Sequence, residues 1–190
     1  PYMFCIARGD KVTRLRNAYC ELYDAAMDAN GSILKQSMLW VKGGAPDGDY
    51  NTMLKYPPHL QTPRVECAKG LYGLMEIPRE DKKKRIAQDR RNFEFFDCST
   101  VLFLFVENSM GPFSPLDAGI CLDTLLLSAH ANGISTCAQG ALATWASPVR
   151  AEFEIPEGYN LLCGVSMGYK KKDSKINTFK PAREPVRVVY

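Results

Sequence analysis

The chain has 190 residues, of which 46% are hydrophobic and 24% charged, and its formal net charge is +3. This length and composition predict one globular domain, residues 1–190, with a substantial core. The net charge is too small to indicate binding to nucleic acid. No apolar run approaches the roughly 18 residues that cross a bilayer, so no membrane partner is expected.

The cysteine pattern gives a second exclusion. The seven cysteines form no CxxC pair, their number is odd, and several lie in apolar segments. A disulfide framework or a zinc site is therefore not expected. We expect instead a reducing compartment, the cytoplasm. The two histidines, His59 and His130, are far apart in sequence, which weakens metal or triad chemistry.

The first half of the chain predicts one strand followed by helices. In order, we expect a buried strand (Tyr2–Ala7), a helix capped by Asp10 that stops at Asn30-Gly31, a long surface loop (residues 43–63) and two helices (from about Pro63 to Leu74, and from about Pro78 to Phe96). Loops of this length are usually functional or mobile.

The second half alternates strands and helices. We expect a strand (Thr100–Val106), a helix capped by Ser114 that stops at Asn132-Gly133, a strand (Ile134–Gln139), a helix (about Ala141–Phe153), a strand (Leu161–Tyr169) and a terminal strand (Val186–Tyr190). The helix after Ser114 is apolar nearly all round, so it should be central or inter-subunit. Because strands and helices do not strictly alternate along the whole chain, the fold class is α+β.

The segment GISTCAQG (residues 133–140) is the first candidate for chemistry. It runs from a helix stop through a short strand into a turn at Gln139 and Gly140. A glycine there lets a ligand approach the backbone, whose N–H groups can donate to it. The alternative is a connection whose glycine only satisfies the turn.

Lys180 and Arg183 form the second candidate. Prolines flank both cations, restrict the backbone and can pre-organise it around a phosphate. The alternative is a solvated polar tail.

Three further features have structural explanations beside functional ones. Cys137 lies at a strand end, but no histidine or second cysteine is near it, so a buried structural thiol is favoured over a nucleophile. Phe93, Phe95 and Phe96 at a helix end could stack on a flat ligand, although core packing is the commoner outcome. Asp117 lies in the first turn of a helix, where the dipole favours it.

Several segments, taken together, resemble the flavin-dependent nitroreductase family. They are RRNFEFFD, DAGICLDTLLLSAHANGISTCAQGAL and IPEGYNLLCGVSMGYKKKDSKINTFKPAREP, in the order and spacing of that family's C-terminal portion. The opening PYMFCIAR is similar to the segment directly after the family's Asn-Thr-Gln sequence, with Tyr2 where tryptophan is usual. RRNFEFF and TCAQ are most similar to the nitrobenzoate-reductase-like branch.

The resemblance implies a mixed or antiparallel sheet flanked by helices, an intertwined homodimer, and FMN bound between the subunits. Backbone groups of Ala138, Gln139 and Gly140 would approach the flavin ring. Arg183, and less strongly Lys180, would hold the phosphate, while Phe95 and Phe96 would shape the substrate site. The implied activity is ping-pong reduction of nitroaromatic or quinone-type acceptors with NADH or NADPH, without a catalytic side chain.

The sequence departs from the family at its N-terminus. Family members carry an arginine-containing helix for the phosphate and a Ser-x-x-Asn segment for the ring, both ahead of the position matching Pro1. We expect the sequence to be truncated relative to the working protein; the alternative is weakened FMN binding. A non-catalytic flavin-binding or storage protein, a degenerate dimerising protein, and a flavin-dependent dehydrogenation or dehalogenation catalyst also remain open.

Overall fold

The computed structural model describes residues 1–52, 54–186 and 188–189. The chain forms two compact units, one of Pro1–Thr52 with Ile86–Tyr169 and the other of Met53–Arg85 with Lys170–Tyr190. A single domain over residues 1–190 stays a prediction.

The first unit is built on a four-stranded sheet. Its strands are β1 (Tyr2–Arg8), β2 (Thr100–Glu107), β3 (Ser135–Gln139) and β4 (Tyr159–Gly168). They lie in the order β1-β2-β4-β3, and every neighbouring pair is antiparallel. The six residues inside β2 are all buried, because an apolar strand in the middle of a sheet is covered on both faces. Four predicted strands are thus confirmed, as is the α+β class.

The described residues form six α-helices. They are α1 (Asp10–Ala29), α2 (Ile33–Val41), α3 (Pro58–Leu74), α4 (Lys82–Arg90), α5 (Phe113–Ala131) and α6 (Ser147–Glu152). The buried side chains of α1, among them Leu15 and Tyr19, pack with Phe103 and Phe105 of β2. A smaller cluster joins Ala118 of α5 to Leu104 and Val106. Because strand side chains alternate between faces, α1 and α5 cover opposite faces of the sheet.

Several predicted helix boundaries are wrong. The sequence interpretation missed α2, none of whose side chains is buried. Helix α3 begins at Pro58 and contains Pro63, because proline suits the first turn of a helix. Helix α4 ends at Arg90, and a 3₁₀ turn over Gly140–Thr144 replaces the start of the helix predicted after Gly140.

Two predicted N-caps are also wrong. Gly9, not Asp10, caps α1, and it does so without a side-chain hydrogen bond. Pro112, not Ser114, caps α5. Ser114 instead lies buried inside the helix, where its Oγ has no hydrogen-bond partner among the described residues.

The first part of the predicted loop, up to Thr52, is fixed to the sheet unit. Asp47 Oδ1 accepts from the backbone N–H of Ala146 at 2.7 Å, and Asp49 Oδ2 accepts from Leu161 N–H at 2.6 Å. A Cβ on Gly48 would lie 1.9 Å from the carbonyl oxygen of Ala143, so only glycine fits there. This part of the loop therefore has a structural role.

The second unit contains α3, the first residues of α4 and a 3₁₀ turn over Lys175–Thr178. The ring of Phe179 packs against Gly70, with an atom 2.9 Å from where a Cβ would be. Lys175 Nζ lies 3.1 Å from Glu76 Oε1. The second half of α3 and the residues just after it thus anchor the C-terminal segment.

The predicted terminal strand, Val186–Tyr190, falls partly outside the described residues, because Arg187 and Tyr190 are not among them. Val186, Val188 and Val189 are exposed and have no regular secondary structure.

Candidate functional site

Residues 138–140 lie where edge strand β3 ends. Gln139 pairs with Gly164 of β4, and Gly140 begins the following 3₁₀ turn. Ala138 and Gly140 are exposed, whereas Gln139 is buried, because successive strand side chains point to opposite faces. Both residues next to Gln139 in the chain are therefore accessible.

The side chain of Gln139 is held at both ends of its amide. Its Nε2 donates to the carbonyl oxygen of Asn92 at 2.9 Å, and its Oε1 accepts a short hydrogen bond from the buried Ser166 hydroxyl. The same Asn92 carbonyl accepts from Phe95 N–H at 3.1 Å. Gln139 thus joins the end of β3 to the turn that contains Phe95 and Phe96, so the structure brings these two predicted segments together.

That turn has an uncommon backbone. Phe95, Phe96 and Asp97 have φ angles of 55°, 49° and 62°, in the left-handed region that residues with a side chain rarely adopt. Such conformations persist only where the surroundings over-determine them, and they cluster at functional sites. Three backbone bonds fix the turn, from Phe96 N–H to Arg91, from Asp97 N–H to Glu94 and from Cys98 N–H to Phe95.

Ion pairs add to this restraint. Arg91 Nη2 lies 2.6 Å from Asp97 Oδ2, and Glu94 accepts from both Arg90 and Arg91. The hydrogen bond from Arg91 lowers the pKa of Asp97 below its usual value. The turn is therefore held most firmly when Asp97 is ionised.

The two predicted substrate-site phenylalanines have different surroundings. The Phe95 ring is fully buried, with its centroid 5.8 Å from that of Tyr19 and 6.3 Å from that of Phe103. Core packing, the alternative weighed from the sequence, therefore describes Phe95. Phe96 is half-buried, and its substrate-site role stays a prediction.

Gly140 meets the steric requirement for a closely bound planar ligand. A Cβ placed on it would meet no atom within 4 Å, so the space beside it is open. The neighbouring residue Ala138 is exposed as well. This arrangement fits a flavin ring that approaches the backbone, as the resemblance implies, and the binding role of residues 138–140 is a proposal.

Cys137 is not the buried thiol that the sequence indicated, because it is exposed on the edge strand. Its pKa is nevertheless raised, first by desolvation and then by the nearby Cys98. A raised pKa keeps the thiol protonated at neutral pH, and the thiolate is the nucleophilic form. The position and the pKa therefore give no support to nucleophilic chemistry.

Lys180 and Arg183 belong to the second unit. Lys180 and Arg183 have no salt bridge within the described part of the chain, and the guanidinium of Arg183 is exposed. This guanidinium makes one long contact of 3.5 Å, to the carbonyl of Ala182. Both cations are thus available to an anion, which fits the predicted phosphate role without testing it.

The sequence interpretation missed three features of the structure around Gln139. Asn92, Ser166 and the left-handed turn became evident only with the strand register. One signal was present: a glutamine among apolar residues at a strand end requires polar partners once it is buried. Its partners lie 47 and 27 residues away, so no local pattern could identify them.

Two other kinds of site are absent from residues 1–52, 54–186 and 188–189. No group of three or more His, Cys, Asp or Glu side chains there could hold a metal ion. No helix in these ranges is both long enough and apolar enough to cross a membrane.

An antiparallel four-stranded sheet between helices, with an open glycine turn at the end of its edge strand, defines an α+β protein. The Nitroreductase family model matches residues 52–169, which include β3, its turn and β4. The chain belongs to the nitroreductase family.

Two curated relatives are 4-nitrobenzoate reductases. The one from Nocardioides sp. (strain LMS-CY) is 34% identical over 124 residues, which are 65% of this chain and 50% of the relative. The one from Pseudomonas putida is 31% identical over 113 residues, which are 60% of this chain and 50% of the relative. The chain thus spans about half the length of the curated relatives it matches.

Two solved structures share the fold. The FMN and NADPH-dependent nitroreductase NfnB from sphigopyxis sp. strain HMH superposes with a TM-score of 0.81 at 22% identity, over 97% of this chain and 76% of that one. The FMN-dependent NfnB from Mycobacterium smegmatis, in complex with NADPH, gives 0.79 at 24%, over 100% and 79%. These likenesses confirm the predicted nitroreductase-like fold.

Proposed function

We propose that the chain is part of an FMN-dependent NAD(P)H oxidoreductase that reduces nitroaromatic or quinone-type acceptors. The observation that carries this proposal is the family match over residues 52–169. The names of the relatives support it, since two are 4-nitrobenzoate reductases. The open turn at Gly140 supports it from the structure.

The residues of the chain would position the reactants. Ala138 and Gly140, which are both exposed, would hold the flavin ring, and Gln139 would fix the backbone between them through its buried amide. Lys180 and Arg183 bind the phosphate by charge and hydrogen bonds. FMN, when bound, supplies the redox chemistry by accepting a hydride from NADH or NADPH and passing electrons to the acceptor.

Donor and acceptor occupy the same flat slot in turn, which gives ping-pong kinetics. Phe96 would line this slot, and its half-buried ring in the turn that Gln139 anchors supports that role. The left-handed backbone of residues 95–97 holds the ring in position without a ligand. Such pre-organisation lowers the entropic cost of aligning two reactants.

We further propose that the protein functions as a homodimer. Helix α5 leaves a row of apolar side chains exposed at helical spacing, namely Phe113, Leu116, Ile120 and Leu127. A second copy that covers this row removes it from water, which is the main driving force for association. The exposed valines near the C-terminus, Val186, Val188 and Val189, would dock on the partner subunit.

The chemistry of the cysteines supports a cytoplasmic location. All seven are free thiols, and burial raises the pKa of several, that of Cys163 to about 11. Protonated thiols persist in a reducing compartment. We therefore propose the cytoplasm.

The proposal is tested by acceptor-dependent oxidation of NADH and NADPH. The purified protein is incubated with FMN, freed of excess flavin and mixed with donor and 4-nitrobenzoate or a quinone. We expect donor absorbance to fall only when both FMN and acceptor are present. Protein that retains FMN without turnover is a non-catalytic flavin binder, and protein that retains none contradicts the proposal.

The phosphate role is tested by Arg183→Ala, with Arg79→Ala as the matched control. Both arginines are exposed cations of the second unit, so each substitution removes one charge. We expect Arg183→Ala alone to weaken FMN retention, by about tenfold for a lost charge-assisted hydrogen bond. Equal retention by the two variants would refute the phosphate role.

A further inference from the structure

The two compact units carry opposite net charges. The second unit has fifteen Lys and Arg residues against six Asp and Glu, a net charge of +9. The first unit has nine against fifteen, a net charge of −6. The overall charge of +3 is therefore the sum of two opposite charges, and the second unit, 54 residues long, has a strongly positive field.

Most of this charge is not neutralised by ion pairs. The described residues of the second unit form three salt bridges, and their lysines are Lys69, Lys84 and Lys175. Within the described part of the chain, Lys82, Lys83 and the run Lys170–Lys172 form none. All five of these lysines are exposed. They form two clusters, one at the start of α4 and one after β4.

The position of the first cluster is unfavourable for stability. Lys82, Lys83 and Lys84 occupy the first turn of α4, where the helix dipole already presents positive charge and cations are disfavoured. Asp81 compensates in part, because its carboxylate accepts from Lys84 N–H at 2.9 Å. Helix stability therefore does not explain the two further lysines at this end of α4.

We propose that the exposed lysines Lys82, Lys83 and Lys170–Lys172 attract the nicotinamide donor and favour the phosphorylated dinucleotide. This inference rests on the proposed function, and it assigns donor selection to residues other than Lys180 and Arg183. The 2′-phosphate of NADPH adds about two negative charges to those of NADH. A field of one sign raises the on-rate of an oppositely charged ligand by about 10- to 1,000-fold, and salt suppresses the effect.

Two double variants and one control separate the effect of these lysines from the effect of total charge. Lys171→Gln/Lys172→Gln and Lys82→Gln/Lys83→Gln each remove two cations from the second unit. Lys35→Gln/Lys42→Gln removes two cations from the first unit and produces the same total charge. Circular dichroism verifies that all variants fold.

The first readout is calorimetric binding of NADP⁺ and NAD⁺ at low and high salt, which needs no turnover. At low salt, we expect each second-unit variant to raise the Kd for NADP⁺ by about threefold or more and to raise the Kd for NAD⁺ by less. At high salt, the Kd values of the variants should equal those of the unaltered protein, because salt screens the charges. The control pair should leave both affinities unchanged. Equal losses for the two nucleotides, or an equal effect of the control, would overturn the inference.

The second readout compares donors on the FMN-loaded protein. The neutral donor 1-benzyl-1,4-dihydronicotinamide should react equally with all variants, while kcat/KM should fall most for NADPH. A slower reaction with the neutral donor would show that the lysines serve the flavin site itself, against the inference. Absence of turnover with every donor would refute the proposed function, and the binding readout would still decide the role of the lysines.

Discussion

The buried amide of Gln139 gives the sharpest prediction about the candidate site. Gln139→Leu keeps the volume but removes the hydrogen bonds of the amide with Asn92 and Ser166. The Ser166 hydroxyl, which belongs to a residue only 1% exposed, then loses its acceptor, whereas the Asn92 carbonyl keeps its bond from Phe95 N–H. A buried hydroxyl without a partner costs about 1–3 kcal/mol and a lost hydrogen bond about 1 kcal/mol, so unfolding should become easier by about 2–4 kcal/mol.

A double-mutant cycle in urea tests this reasoning. Ser166→Ala removes the stranded hydroxyl, so Gln139→Leu/Ser166→Ala should be less destabilised than the sum of the single variants, by about 1–2 kcal/mol. Ser109→Ala, at an exposed serine whose hydroxyl bonds to Glu107, is the matched control and should add without coupling. Additivity of the Gln139 and Ser166 changes within about 0.5 kcal/mol would refute the buried clamp.

Three further predictions concern other parts of the fold. Tyr19→Phe removes a buried hydroxyl that lies 2.8 Å from Leu142 O and 2.9 Å from Trp145 O, and it should cost about 1–3 kcal/mol in urea unfolding; no change would show that water replaces the bond. Because Arg91 lowers the pKa of Asp97, this pair stabilises the fold at pH values above 3.8, the ordinary pKa of the carboxyl group. The stabilisation is lost as the pH falls through the lower pKa that Asp97 has in the folded protein. Asp97→Asn should therefore lower the free energy of unfolding at neutral pH and flatten its decline in acid, and parallel pH profiles would contradict this. Gly48→Ala should destabilise the fold by about 1–3 kcal/mol, because the added Cβ would meet the carbonyl oxygen of Ala143. Gly73→Ala in α3, with open space around it, should instead stabilise the fold by up to about 1 kcal/mol. A larger loss of stability for Gly73→Ala than for Gly48→Ala would show that the loop adapts to a side chain.

The sequence predicted the strands better than the helices. Apolar runs such as TVLFLFV identify a buried strand without further information, because burial on both faces requires apolar residues at every position. Helix α2 could not be predicted in this way, since its apolar side chains face solvent. The start of α3 depended on which proline occupies the first turn: the sequence interpretation placed it near Pro63, whereas the helix begins at Pro58.

The site was predictable only where its residues are consecutive. The turn at Gln139 and Gly140 was found because a strand, a glycine and a helical pattern follow one another. The contacts of Gln139 with Asn92 and Ser166 could not be found, because they depend on the pairing of β3 with β4. The same holds for Phe95 and Phe96, because their different burial depends on the left-handed turn, which no local sequence pattern indicated.

The proposed function requires that this chain carries an FMN site that exchanges electrons with a nicotinamide donor. The most direct measurement is the visible spectrum of the FMN-loaded protein without oxygen, recorded after addition of NADPH or NADH and again after addition of 4-nitrobenzoate. We expect the flavin absorbance to bleach with the donor and to return with the acceptor. A protein that retains no flavin, or whose flavin does not bleach with either donor, would contradict the claim.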